Sequence, residues 1–400
     1  MQSLRADRRV SPGWVRRPGT TSPGRPSKLL HQPPPSMAQR APIRRTIMRR
    51  LVICCDGTWN TPDQREDDAL CPSNVVKLAR AVCPQAPDGT TQSVFYDTGV
   101  GTGPWLDKLT GGAFGHGLSR NVRKAYRYLV HNYVPGDQIW LFGFSRGAYT
   151  ARSTAGLIRN CGLLHKTRAD RIEEAYAMYR DPAVHPDDET ARRFRAQYAQ
   201  QAEIHFLGVW DTVGALGIPL RGLNALTRRR YEFHDVKLSR IIRHACQALA
   251  IDEQRGAFRP ALWRNTPAPG QRVEQVWFPG VHANIGGGYR DSGLSNLALH
   301  WMARKAAQAG LALDQAWLDT ACVPDWGGAL RESRRGLYRL LQRHPRPIGA
   351  AVGEAVHPGA LHRYRDAVQA YAPDNLRHWL ERRDGAPSPE TAPSPETARE

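Results

Sequence analysis

Three positions in this chain combine residue type and spacing in a way that supports covalent chemistry. Gly143-Phe144-Ser145-Arg146-Gly147 fits Gly-x-Ser-x-Gly, the pattern that sets a serine on a sharp turn between a strand and a helix. A serine hydroxyl is a weak nucleophile until an adjacent base takes its proton, and the base needs a carboxylate to fix its tautomer. In the chain order that accompanies this turn, the acid and then the histidine follow from downstream strand ends. Asp211 stands in Val209-Trp210-Asp211-Thr212-Val213-Gly214, at the close of an apolar run that begins at Ile204. His282 comes soon after the run Val273 to Phe278, in Phe278-Pro279-Gly280-Val281-His282, and of the fourteen histidines it alone follows a strand so closely after Asp211. Together they predict hydrolysis of a carboxylic ester through an acyl-enzyme on Ser145, with His282 as base on a loop at the rim of a sheet and Asp211 as the acid. Asp211→Asn is expected to fold normally and to lose activity through the wrong imidazole tautomer.

Each residue also has a plainer reading. The Gly-x-Ser-x-Gly stretch is also a glycine-rich turn without chemistry, Asp211 a turn or helix-capping aspartate, and His282 a surface or capping histidine. The setting of Ser145 between an apolar strand and a helix-forming stretch is what favours a nucleophile there. Gly143 and Gly147 are then needed as elbow residues that let strand and helix approach. The N–H of Arg146, at the helix N-terminus, is expected to face developing negative charge. A second oxyanion donor is expected from Asp56-Gly57-Thr58-Trp59-Asn60, through the N–H of Gly57 or Thr58, although the same residues suit an ordinary tight turn. Asp291 would orient the histidine loop or cap a helix beginning near Ser295, capping being the better fit. Asp97 to Gly103 has the look of a phosphate cradle but lacks the Gly-Lys-Ser/Thr ending and an acidic partner for a ribose, so nucleotide binding is weakly supported. The seven cysteines form no CxxC or Cys/His array, and neither a metal nor an organic cofactor is expected. Cys54 and Cys55, inside an apolar run, read as small core residues in a reducing compartment.

The elements that must position these groups are legible as alternating strands and helices. Leu51 to Cys55, Ser93 to Tyr96, Gln138 to Phe142, Ile204 to Val209 and Val273 to Phe278 are short apolar runs. Asn74 to Val82 with Ser73 as N-cap, Leu118 to Tyr133, and Arg146 to Cys161 have helical patterns. Continuous rather than alternating apolar character means both sheet faces are covered. The fold class is therefore α/β, an α/β-hydrolase-like, mostly parallel sheet flanked by helices, with helical insertions. One insertion, Gly217 to His234, carries leucines, Tyr231 and Phe233 beside Arg228-Arg229-Arg230. It suits a lid within residues 215–240 or a contact with an anionic membrane surface, or equally a solvated helix with one core face.

Charge and tails bound the remaining classes. Of the formal charge of +19, residues 1–50 contribute +11, twelve Arg/Lys against Asp7. Residues 1–48 are rich in Arg, Pro, Ser and Gly and are expected to be a disordered basic tail. Residues 384–400 carry Ala-Pro-Ser-Pro-Glu-Thr twice and are expected to be a second tail, leaving 49–383 as the catalytic domain. The basic excess has no RNP-like, zinc-finger or helix-turn-helix reader, so nucleic acid is not the expected partner. No apolar run approaches the roughly 18 residues of a membrane span, and no Sec signal is visible, which predicts a cytoplasmic protein unless a specialised secretion system delivers it. The rival class is a catalytically silent hydrolase-fold domain that binds a partner or anionic lipid.

At these residues the chain resembles the type VI secretion phospholipase effector-like catalytic domains. The matching pieces are Cys55 to Asn60, Gly143 to Arg152, Gly208 to Gly214, Ala250-Ile251-Asp252-Glu253 with Phe258 before Pro260, Val276 to Tyr289, and His357-Pro358, covering about residues 49–375. The resemblance implies an α/β-hydrolase fold, the triad Ser145, Asp211 and His282, and a lipid or phospholipid ester as substrate; immunity and secretion partners of this chain stay unknown. The family more often has Ser-Asp where this chain has Ala283-Asn284, a departure that spares the triad and bears on the hydrogen bonds beside it.

Overall fold

The computed structural model describes residues 48–58, 60–99, 111–213, 238–334, 336–340 and 342–384. The tails expected at 1–48 and 384–400 and the lid expected at 215–240 lie outside the described residues except for 48, 384 and 238–240; Trp59 lies outside as well.

Seven strands form one parallel sheet: β1 Arg49–Cys55, β2 Thr91–Asp97, β3 Gln138–Phe144, β4 Ile204–Trp210, β5 Ile242–Ala250, β6 Arg272–Phe278 and β7 Glu354–Val356. Helices α1 Asn74–Ala81, α2 Gly111–Asn132, α3 Arg146–Cys161, α4 Ile172–Arg180, α5 Glu189–Tyr198, α6 His282–Gly286, α7 Gly293–Gln308, α8 Gln315–Ala321, α9 Pro358–Arg365 and α10 Asp374–Asp384 accompany it. The α/β class is therefore observed. Continuous apolar strands arise because the sheet is packed on both faces. In β1, Leu51, Ile53 and Cys55 join a cluster with Val122, Tyr126 and Leu129 of α2 and Ala148, Ala151 and Leu157 of α3. Val52 and Cys54 face the other way, with Val75 and Leu78 of α1 and Leu299 and Met302 of α7. The Ser73 hydroxyl accepts from the Val76 N–H and caps α1 as the sequence predicts.

The strand order is β7-β6-β5-β4-β3-β1-β2. The chain steps from β1 outward to β2, then returns to the opposite side of β1 for β3, so the order reverses between β1 and β3. In open α/β sheets the crevice outside the carboxyl ends at such a reversal is where ligands bind. Here it is flanked by Asp56-Gly57-Thr58, after β1, and Ser145, after β3. Strand β5, between β4 and β6, has no counterpart in the sequence reading. Its polar Gln247 is fully buried, accepting from Thr212 Oγ1 at 2.9 Å and donating to Gln275 Oε1 at 3.3 Å. A satisfied polar pair in the sheet interior interrupts the apolar pattern without interrupting the strand.

Candidate active site

Ser145 is the single residue between β3 and α3, with φ +57° and ψ −118°, a backbone geometry that L residues rarely adopt. Its N–H donates to Trp210 O at 3.0 Å, which ties the turn to β4. A Cβ on Gly143 would lie 2.4 Å from Gly147 O, and one on Gly147 would lie 2.1 Å from Cys55 O. Both elbow glycines are thus required by backbone approach.

Asp211 follows β4 directly, at φ +42°, its N–H donating to Ala248 O at 2.8 Å. His282 opens the short helix α6, a correction to the loop placement expected for it. The structure brings the three residues together in one chain of contacts. His282 Nε2 is 2.8 Å from Ser145 Oγ and His282 Nδ1 is 2.5 Å from Asp211 Oδ2. The imidazole packs against the Phe144 ring, centroids 4.7 Å apart, and against the edge of Phe258 at 4.9 Å. Its backbone N–H donates to Glu253 Oε2 at 3.3 Å.

Asp211 is fully buried and carries more partners than the histidine. Ala250 N–H donates to Oδ1 at 3.1 Å, and Arg346 donates through Nη1 to Oδ1 at 2.5 Å and through Nη2 to Oδ2 at 3.0 Å. Burial by itself would raise the Asp211 carboxyl; the Arg346 guanidinium and His282 outweigh it and hold the group well below the usual carboxylate range. Glu253 is likewise pushed up by burial and brought below its ordinary value by Arg255, which donates to it through the backbone N–H, Nε and Nη2. Arg255 in turn lies 3.6 Å over the Phe258 ring. Asp252 accepts from Gly280 N–H at 2.6 Å and Tyr371 OH at 3.0 Å, and burial pushes it up to about 6.

The loop after β1 is organised by Asp56, whose buried carboxylate accepts from Gly57 N–H, Asn60 Nδ2, Ser73 Oγ and Tyr96 OH. Burial raises its pKa despite these donors. The Gly57 N–H is therefore engaged by its neighbour, while Thr58 Oγ1 is buried without a hydrogen-bond partner. Burial pushes the Arg146 guanidinium down to about 10.

Asn284, at the position where the resemblance leads one to expect aspartate, accepts from Val281 N–H and donates to Ala329 O, each at 3.2 Å. The acceptor role before the histidine helix is kept. Asp291 accepts from Gly293 N–H at the start of α7 and from Ala329 N–H, a capping role with no bond to His282 among its contacts. His357 stacks on Phe278 and accepts from Gly359 N–H, capping α9. Among the described residues, no group of three or more His, Cys, Asp or Glu side chains is arranged to hold a metal ion, and no helix is long and apolar enough to cross a membrane. All seven cysteines are free.

Two partners of the site are not legible in the sequence. Glu253 closes Ala250-Ile251-Asp252-Glu253, where no spacing marks a role for it. Arg346 sits in Pro345-Arg346-Pro347 at the end of an arginine-rich stretch, with no local sign that it pairs with a residue 135 positions away.

The family described as T6SS, Phospholipase effector Tle1-like, catalytic domain matches residues 49–305. An uncharacterized protein of Saccharomyces cerevisiae is 29% identical over 245 residues, 55% of this chain and 33% of the relative. The chain thus spans about a third of that relative's length. Among solved structures, an uncharacterized protein from Pseudomonas aeruginosa superposes with a TM-score of 0.45 at 17% identity, over 71% of this chain and 50% of the other. A Tle1 effector bound to the VgrG spike of the type 6 secretion system gives 0.41 at 16% identity, over 73% and 78%.

Proposed function

The chain belongs to the Tle1-like catalytic domain family of type VI secretion phospholipase effectors, whose general chemistry is lipase- or phospholipase-type hydrolysis, and from that premise we propose a serine-dependent carboxylic ester hydrolase acting on lipid esters. The observation that carries the mechanism is the continuous contact Ser145 Oγ to His282 Nε2 to Asp211, built on the ends of β3, β6 and β4.

In the first step Ser145 Oγ attacks the ester carbonyl and His282 Nε2 takes its proton, while Asp211 holds the Nδ1 proton and stabilises the cation that forms. The oxyanion is held by the Arg146 N–H at the head of α3 and by the Thr58 N–H, since the Gly57 N–H is turned onto Asp56. His282 then returns the proton to the leaving alcohol. In the second step it activates a water that cleaves the acyl-enzyme. The family description also names the type VI secretion system, and as part of the proposal we extend to this chain a secretion partner in general.

Two measurements test this. A fluorophosphonate probe should label the wild type on Ser145 and leave Ser145→Ala unlabelled. Mass spectrometry of mixed phospholipids and short-chain esters should show fatty acid released by the wild type alone. Equal turnover by Ser145→Ala would exclude the mechanism, and absence of labelling with a folded protein would favour a silent binding domain.

A further inference from the structure

We propose that Arg346 is a positioning residue of this reaction, a cation that fixes both carboxylate oxygens of Asp211, so that the working site extends beyond the family-matched stretch into the C-terminal segment. The inference rests on the triad reading above and concerns a residue outside 49–305.

The geometry is specific. Arg346 is 3% exposed, and its two Nη groups make four hydrogen bonds. Two go to Asp211, one to each oxygen; the others go to Ala250 O at 3.1 Å and Phe258 O at 2.6 Å. The same guanidinium therefore sets the rotamer of Asp211, the end of β5 and the turn whose ring edge touches His282. Bidentate pairing of this kind fixes orientation as well as charge, which a lysine cannot reproduce. The arginine is itself held from the C-terminal side. Asn375 Nδ2, in α10, donates to Arg346 O at 3.1 Å and to Ile251 O at 2.9 Å. A chain ending near residue 305 would leave Asp211 buried with a histidine and one backbone N–H, and without a compensating charge.

The groups that face this pair are few. His282 shares Asp211 Oδ2 with Arg346 Nη2. Behind them stand two further buried carboxylates, Glu253 with Arg255 and Asp252 with Tyr371, both within the electrostatic reach of Arg346. Arg346 thus holds a proton off the Asp211 carboxyl. Without it that carboxylate is protonated more readily, and the acid limb of the reaction moves to higher pH.

The test uses the full chain and the rate of fluorophosphonate labelling as a function of pH, with circular dichroism to establish folding. Arg346→Gln, which removes the cation, should label more slowly, on the order of 100-fold at neutral pH, with the acid limb displaced upward by about one pH unit or more. Added guanidinium chloride at low millimolar concentration should restore part of the rate. Arg346→Lys, which keeps the charge and loses the fork, should slow labelling while leaving the limb in place. It should also displace the low-field proton resonance of His282 Nδ1–H. If Arg346→Gln does not fold, Arg346→Lys decides: a displaced resonance with slowed labelling supports the role, and an unchanged resonance overturns it. A folded Arg346→Gln with wild-type rate and limb, or one slowed uniformly without guanidinium rescue, overturns it too. If the wild type itself is not labelled at Ser145, the hydrolase reading falls and this inference with it; if only the Arg346 variants behave as wild type, the hydrolase reading stands.

Discussion

Gly143 and Gly147 approach so closely that a single methyl group on either would overlap main-chain atoms. On Gly143 a Cβ would meet Gly147 O at 2.4 Å and Ala148 N at 2.6 Å; on Gly147 it would meet Cys55 O at 2.1 Å and Asp56 O at 2.4 Å. None of these is the movable end of a side chain. The turn that raises Ser145 above the sheet therefore exists only in the space that two missing side chains leave.

Gly143→Ala and Gly147→Ala should each destabilise the fold by about 1–3 kcal/mol or more, as overpacking does where the neighbours cannot yield. Each should also abolish labelling of Ser145, because relief of the clash must shift the elbow. Urea denaturation and probe labelling check this together. A stable, fully labelled Gly147→Ala would mean that α3 can slide along β1 without cost.

Asp211→Asn should not fold as normally as the sequence alone suggests. The neutral side chain leaves Arg346 as a buried cation whose bidentate partner has lost its charge, a loss of about 3–5 kcal/mol for a broken buried pair. Asp211→Asn with Arg346→Met should regain part of that stability, since removing the cation leaves no uncompensated buried charge. It should not regain labelling. Urea midpoints for the two variants decide the matter, and a single variant as stable as wild type would show that Glu253 or Asp252 takes over the cation.

The contrast between these glycines and Arg346 explains what was legible. Ser145, Asp211 and His282 could be read because each follows a strand end, and strand ends are marked locally by apolar runs and glycines. β1, β3 and β4 announce themselves through residues buried on both faces. β5 does not, because Gln247 inside it is satisfied by Thr212 and Gln275 from elsewhere in the chain. Arg346 is invisible for the same reason. Its meaning lies in a carboxylate 135 residues away, and the sequence from 333 to 353 around it holds no acidic residue. The placement of His282 on a helix rather than a loop is not legible because Ala283-Asn284-Ile285 is too short to show a period.

Asn284 offers a test of that short helix. It is 1% exposed and joins Val281 N–H to Ala329 O. Asn284→Ala leaves the buried Val281 N–H unpaired and removes the bond to Ala329 O, and should cost about 1–3 kcal/mol and slow Ser145 labelling. Asn284→Asp keeps the acceptor for Val281 N–H and loses only the donor to Ala329 O, so it should retain more activity than Asn284→Ala. The reverse ranking in labelling rate would assign the dominant role to the Ala329 contact.

Asp252 gives the protein a stability change at mildly acidic pH whose sign is opposite to that of its buried neighbours. Folded, its carboxyl lies at about 6; unfolded, it returns to about 3.9. The folded state binds more proton between those values, so this group's contribution is full below pH 4 and is lost as pH rises through 6, a change of about 3 kcal/mol. Asp211 and Glu253, held below their ordinary values, contribute stability above theirs and lose it only on acidification past about pH 4. Asp252→Asn keeps an acceptor for Gly280 N–H and Tyr371 OH and removes the titration. It should therefore match wild type near pH 4 and exceed it in urea stability by pH 7.5. Because the neighbours are common to both proteins, the difference isolates Asp252; stability curves that run parallel across this range would show that its carboxylate is ionised in the folded protein without cost.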